Sequence, residues 1–188
     1  MSNEQIEQNV DLVIHEVSAA LQSIDIGQVQ MLVTDIIRAK RVFVIGVGRV
    51  LLSLQAMVKR LNHIGVEAYY VGQIDEPAVN EDDLLIVASN SGESLIPLCI
   101  TQKAASLHVP IAYIGSQPES SVGKTAGTKV IIPVASKNNA QAAISSRQPM
   151  TSLFEQVLLL MGDIVALSIL QKKGIQIQDT WQYHANLE

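Results

Sequence analysis

The chain has 188 residues, 48% of them hydrophobic and 16% charged, with a formal net charge of −5 and a pI near 5.3. That length buries one good core and falls short of two full-sized enzyme domains, and an acidic chain without a basic run excludes a nucleic-acid surface, which needs clustered Lys and Arg. The single cysteine, Cys99, rules out an intrachain disulfide and fits a reducing compartment, where its role is packing in an apolar helix.

The first residues, Met1-Ser2-Asn3-Glu4-Gln5, are polar and acidic, unlike a signal or transit peptide, so a cytoplasmic protein is expected. Over residues 4–23, Ile6, Val10, Val13, Ile14, Val17 and Leu21 recur at helical spacing, and Val29, Leu32, Val33, Ile36 and Ile37 form a second run. Two helices over residues 4–39 therefore precede the sheet core, residues 41–135. Its first strand is expected at 41–45, followed by Gly46-Val47-Gly48 and a helix that ends by Gly65. Further strands are expected at 66–71, 84–88, 110–114 and 129–133, with a helix at 94–107. This alternation predicts an α/β fold: a five-stranded parallel sheet between helical layers. Ligands of such sheets sit beyond the carboxyl ends of the strands, where Gly46, Gly48, Gly72 and the loop after residue 88 all fall.

Residues 136–149 read as a polar surface loop that ends at Pro149. A long helix over about 151–170 and a tail complete a single domain, 1–188. Glu155, Gln156 and Asp163 interrupt that helix and no aromatic belt flanks it, so it reads as a buried helix rather than a membrane span. Its apolar residues cover most faces, more than one core absorbs, which predicts association of subunits.

The stretch Leu84-Leu85-Ile86-Val87-Ala88-Ser89-Asn90-Ser91-Gly92-Glu93-Ser94 runs an apolar strand straight into hydroxyls and a glycine. At such a strand end, unpaired N–H groups of the loop and of the next helix's first turn favour an anion. Ser89, Ser91 and Ser94 add hydroxyl donors, and the absence of a loop lysine separates the motif from a P-loop. The bland alternative is a polar turn with Ser94 as a plain N-cap. Gly46-Val47-Gly48-Arg49-Val50-Leu51 lacks the third glycine of a dinucleotide fingerprint, so a Rossmann cofactor site is not expected.

A glycine loop after the first strand and Ser-x-Ser-Gly-Glu-Ser after a later one resemble the sugar isomerase (SIS) domain, a phosphosugar-binding fold of the flavodoxin-like kind. The segments Lys59-Arg60-Leu61-Asn62-His63-Ile64-Gly65, Gln148-Pro149-Met150-Thr151-Ser152-Leu153-Phe154-Glu155-Gln156 and His184-Ala185-Asn186-Leu187-Glu188 extend the resemblance to the 6-phospho-3-hexuloisomerase family. That resemblance covers nearly the whole chain. It implies conversion of 3-hexulose 6-phosphate to fructose 6-phosphate without metal or cofactor, in a homotetramer with sites at subunit interfaces. It also implies that Ser89, Asn90, Ser91, Gly92 and Ser94 hold the phosphate and that Gly48 and Arg49 contact the substrate. Departures occur at Val50 and Thr151, where the family commonly has serine and glycine. Asn90 and Ser94 stand for glycine and threonine, Asp75 and Glu76 lie where hydroxyls are usual, and Tyr183 replaces a basic residue.

The chemistry so implied moves a carbonyl by removing and returning a proton through a cis-enediolate. One carboxylate serves both transfers, and Glu155 is the expected base. Its alternative is an acid complementing the helix N-terminus, in capping-box spacing with Ser152; the helix end favours its ionised form and burial its neutral form. His63 and His184 are the expected polar partners, able to polarise a carbonyl or shuttle hydroxyl protons. For His63 the competing reading is a cation at a helix C-terminus, and for His184 a solvated tail. Arg49 sits against phosphate or enediolate, or forms an ion pair. Glu93 is expected to pair away from the anion and brace the loop, Asp75 and Glu76 to be a solvated turn, and His15 and His108 to be surface residues. No His, Cys or Asp cluster has metal-ligand spacing. A sister phosphosugar isomerase and a non-catalytic phosphosugar sensor are the alternative functions.

Overall fold

Residues 2–136 and 144–187 are described by the computed structural model of the protein. In chain order the elements are α1 (Asn3–Gln22), α2 (Ile26–Arg38), β1 (Val42–Ile45), α3 (Arg49–His63), β2 (Ala68–Tyr70) and β3 (Leu84–Ala88). They continue with α4 (Leu95–Ser106), β4 (Ile111–Gly115), α5 (Ser121–Thr125), β5 (Thr128–Ile131), α6 (Ser152–Lys173) and a closing 3-10 turn, Ile177–Tyr183. Local chemistry sets the helix ends. Ser2 and Gln5 form a reciprocal capping box on α1, Asp25 accepts from the N–H groups of Gly27 and Gln28 at the start of α2, and Gly174 ends α6 in the left-handed conformation.

The five strands are parallel in the order β2-β1-β3-β4-β5. That is the flavodoxin-like order, in which the chain reverses its direction of travel between β1 and β3 and leaves a crevice beyond their carboxyl ends. Alternate residues of each strand serve two cores. Val42, Val44, Leu84, Ile86, Ala88, Ala112 and Ile114 face α1, α2, α3 and α6, whereas Phe43, Ile45, Leu85, Val87, Ile111 and Tyr113 face α4 and α5. The result is the expected three-layer sandwich.

Differences from expectation are local. β2 is cut to three residues at the sheet edge, where it pairs on one side only, and the short α5 and the closing 3-10 turn carry too few residues for a periodic signal. Ile6, Val10 and Ile14 are about half exposed, so the apolar residues of α1 divide into an inner stripe around Val17, Ala20 and Leu21 and an outer one facing solvent. Cys99 is exposed rather than packed, because α4 turns Pro97, Thr101 and Ala104 inward. α6 is long and apolar enough to cross a membrane, with a mean hydropathy of 1.9, yet 61% of that window is buried within the protein, as a core helix requires.

Candidate active site

β1 and β3 lie side by side in register, Ile45 opposite Val87, so the loops that leave their carboxyl ends meet. The first loop turns at Gly48, whose φ of +60° and ψ of −137° belong to a region open to glycine alone. The turn sets α3 running back along the sheet and puts Arg49 at its first position. The second loop tightens on itself: Ser89 Oγ accepts from the Gly92 N–H at 3.1 Å and lies 3.1 Å from Ser94 Oγ, while Ser91 Oγ accepts from the Glu93 N–H at 3.2 Å. Ser94 occupies the N-cap position of α4, but its hydroxyl faces Ser89 and makes no capping bond. Among the described residues the backbone N–H groups of Asn90, Ser91 and Ser94 have no acceptor, which with the open first turn of α4 makes an anion cradle.

A second layer holds this loop from behind. Tyr113 Oη donates to the Ser89 carbonyl at 3.0 Å, and Ser116 donates to the Asn90 carbonyl through both N–H (3.0 Å) and Oγ (2.7 Å). Burial pushes the Tyr113 phenol above its ordinary range, which keeps it a neutral donor. Glu93 turns away from the cradle to accept from the Ser121 N–H at 2.7 Å, and that bond and the Ser121 hydroxyl hold its carboxyl below the usual range. It braces the loop, as its charge beside an anion site demands. The side-chain amide of Asn90 donates to the Ala135 carbonyl at 3.0 Å, which leaves its backbone N–H as the donor turned to the cradle.

Across the crevice stands α6. Ser53 of α3 donates to the Glu155 carbonyl at 2.8 Å, tying the two helices together, and the buried Glu155 carboxylate is gripped at both oxygens. Thr151 Oγ1 donates to Oε1 at 2.7 Å; Arg49 Nε lies 2.9 Å from Oε2, an ion pair off the line of a directed hydrogen bond. The alternative reading of Glu155, a capping box with Ser152, is absent. Ser152 is already the first helical residue, and its hydroxyl donates to Pro149 O at 2.8 Å and accepts from Arg49 Nη1 at 3.3 Å. Val47, Gly48, Arg49, Val50, Ser89, Asn90, Ser91, Ser94, Thr151 and Glu155 share one pocket of about 290 Å³. A larger groove of about 720 Å³ between α2 and α6 is mostly apolar, and its Lys172 and Thr34 pair with each other, so it offers no convergent chemistry.

The histidines lie elsewhere. His63 ends α3 while Arg49 begins it, about 21 Å apart at 1.5 Å per residue. His184 stacks on His63 with ring centroids 5.2 Å apart, next to Trp181 at 5.6 Å, and Tyr183 packs against Gly65. Within one chain, then, the two histidines meet each other but not Glu155. Glu76 accepts from the Gly72 N–H at 2.8 Å and Asp75 from the Gln73 amide at 3.0 Å, a turn that braces itself away from the pocket. Two supporting groups carry no site signal of their own in the sequence: Tyr113 falls within an apolar strand, and the cue to Glu16 is only that a carboxylate three residues after Val13 falls in the inward register of α1.

The SIS domain matches residues 35–160. The 3-hexulose-6-phosphate isomerase of Bacillus subtilis is 36% identical over 94% of this chain and 95% of its own length. That of Mycobacterium gastri is 36% identical over 97% and 92%. A crystal structure of a hypothetical protein from Methanococcus jannaschii, from which a 3-hexulose-6-phosphate isomerase function was inferred, superposes with a TM-score of 0.82 at 26% identity, covering 96% of this chain and 99% of that one. The serine cradle, the α/β architecture and these similarities agree: the chain belongs to the SIS domain family.

Proposed function

We propose that the protein is a phosphosugar isomerase that interconverts 3-hexulose 6-phosphate and fructose 6-phosphate through a cis-enediolate, acting as a cytoplasmic homotetramer. One observation carries the reading: an anion cradle and a buried carboxylate paired with an arginine share a pocket of about 290 Å³. The relatives' activity gives this arrangement its substrate.

In this reading the phosphate sits on the N–H groups of Asn90, Ser91 and Ser94 and the hydroxyls of Ser89, Ser91 and Ser94, the carbon chain extends toward α6, and Gly92, whose N–H is already given to Ser89, shapes the loop instead of touching the phosphate. Glu155 removes the C2 proton and returns it at C3 while the O2 hydroxyl proton passes to O3 across the cis-enediolate, so that the carbonyl moves from C3 to C2. Two partners leave free lone pairs on its carboxylate for the proton. Arg49, at the rim with Gly48, balances charge that develops on the enediolate oxygens. No metal or cofactor enters the scheme. In 3-hexulose 6-phosphate the O6 that would close a five-membered ring from C3 is esterified, so the substrate arrives open and ring opening concerns the reverse reaction.

His63 and His184 serve the site of a neighbouring subunit in this assembly. The span of α3 keeps them from their own Glu155, and exposed apolar side chains flank the pocket: Val47, Leu52, Leu95 and Met150 are 41%, 63%, 72% and 83% exposed. Such a rim favours cover by another chain. Val50 walls the pocket without a hydroxyl, which favours a sister phosphosugar as the second reading.

Fructose 6-phosphate formation from enzymatically generated 3-hexulose 6-phosphate tests the proposal, with Glu155→Gln as control. Turnover in the wild type, reduced at least ~100-fold in the variant with substrate binding retained, is expected. A wild type that binds phosphosugars without turnover is a sensor, and one that turns over an aldose phosphate instead is the sister isomerase.

A further inference from the structure

The inner face of α1 carries a carboxylate where a hydrocarbon would pack. Glu16 is 6% exposed and its side chain accepts three hydrogen bonds, all from one short segment: Ser146 Oγ at 2.6 Å, the Arg147 N–H at 2.8 Å and Gln148 Nε2 at 3.0 Å. A buried carboxylate is tolerated when its lone pairs are filled in this way, and a segment without regular structure gains partners it otherwise lacks. Ser146 Oγ also accepts from the Gln148 N–H at 3.0 Å, so the grip closes on both sides of Arg147.

The gripped segment runs directly into the site. Pro149 follows, its carbonyl accepting from the N–H (3.3 Å) and the hydroxyl (2.8 Å) of Ser152. Met150 is next, in the left-handed region at φ +59°, a conformation a long side chain adopts only when its surroundings impose it. Thr151 then places its hydroxyl 2.7 Å from Glu155 Oε1, and Ser152 accepts from the arginine that pairs with Oε2. Seven consecutive residues, 146–152, thus connect a carboxylate on the first helix to both oxygens of the carboxylate on the last.

We infer that Glu16 is a positioning residue for Glu155: by holding Ser146, Arg147 and Gln148 it imposes the Met150 turn, and that turn aims the Thr151 hydroxyl at the reacting carboxylate. The inference rests on the proposed role of Glu155. Glu16 touches neither pocket nor substrate, so its removal leaves binding intact and displaces only the base. Misplacement of this kind lowers the chemical step alone.

The test compares wild type, Glu16→Gln, Glu155→Gln and the double variant in the isomerase assay. Hydrogen exchange at the amides of residues 151–156 is followed in the first two. Glu16→Gln is expected to lower kcat about 10- to 100-fold with KM within about 2-fold. In the Glu155→Gln background the same change is expected to cost nothing further, since both act through one group. Exchange at residues 151–156 is expected to quicken while the strand amides keep their rates. An unchanged kcat with unchanged exchange, or a loss that adds fully to that of Glu155→Gln, overturns the inference. A wild type without turnover overturns the functional reading instead, and exchange alone then decides whether Glu16 sets the turn.

Discussion

At the scale of single residues, the cradle depends on how closely Gly92 lets its neighbours approach. Its φ of +67° is left-handed, and a Cβ there would overlap Ser120 Oγ and lie 2.7 Å from the Tyr113 hydroxyl. The same hydroxyl holds the Ser89 carbonyl. Gly92→Ala is therefore expected to destabilise the protein by about 2–4 kcal/mol, through backbone strain and overpacking together. Phosphosugar affinity falls with it, as thermal unfolding with and without fructose 6-phosphate will read; a variant of wild-type stability and affinity contradicts this account. The cradle was legible in the sequence because it is local: a strand end, three hydroxyls and a glycine occupy seven consecutive residues, 88–94. The partners of Glu155 were not, since Arg49 lies in another element and the Thr151 contact depends on how α6 begins.

Elements show a second kind of dependence, in which α1 secures a loop by charge. Burial pushes the Glu16 carboxyl up, but hydrogen bonds from the Arg147 N–H, Ser146 and Gln148 outweigh it and hold the group below the ordinary glutamate range. A carboxyl depressed in the folded state stabilises it fully above its unfolded value, and that contribution disappears as pH falls through the lower folded one. Acidification below the ordinary glutamate range is accordingly expected to loosen residues 146–148 from α1. Glu16→Gln is expected to flatten this part of the stability-against-pH curve. Chemical denaturation in steps from pH 6 to pH 3 measures it, and parallel curves for the two proteins would contradict the assignment. Element boundaries followed sequence signals wherever a cap or an alternating strand spoke for itself. β2 lies inside the strand expected at 66–71 but is cut to Ala68–Tyr70 by its edge position, and the C-terminal 3-10 turn escaped because packing on α3, rather than its own residues, defines it.

For the whole molecule the outer surface carries the argument. Ile6, Val10 and Ile14 form an exposed stripe on α1, and Leu159, Leu160, Ile164 and Leu167 leave α6 between 38% and 52% exposed. Apolar faces of this extent fit association between copies of the chain. If neighbouring subunits share sites as proposed, inactive Glu155→Gln and inactive His184→Ala proteins, unfolded and reassembled together, regain activity in mixed oligomers. Each variant reassembled alone remains inactive. Failure to recover activity, with mixed oligomers shown by mass spectrometry, would place base and histidine in the same subunit's site.

Sequence by itself determined what short-range physics encodes: strands as apolar runs, helices as periodic faces and caps, and an anion cradle at the end of one strand. Composition added the surplus of apolar surface. Only the tertiary structure decided which groups meet, because the long contacts, Arg49 with Glu155 and Glu16 with Arg147, join residues a hundred or more positions apart and the short ones depend on how each helix begins. It turned Ser94 from a cap toward Ser89, gave Glu155 both Thr151 and Arg49, and set Glu16 against the segment that leads to the base. It also separated His63 from the pocket by the length of a helix, a distance that no spacing in the sequence records but a rigid rise per residue imposes.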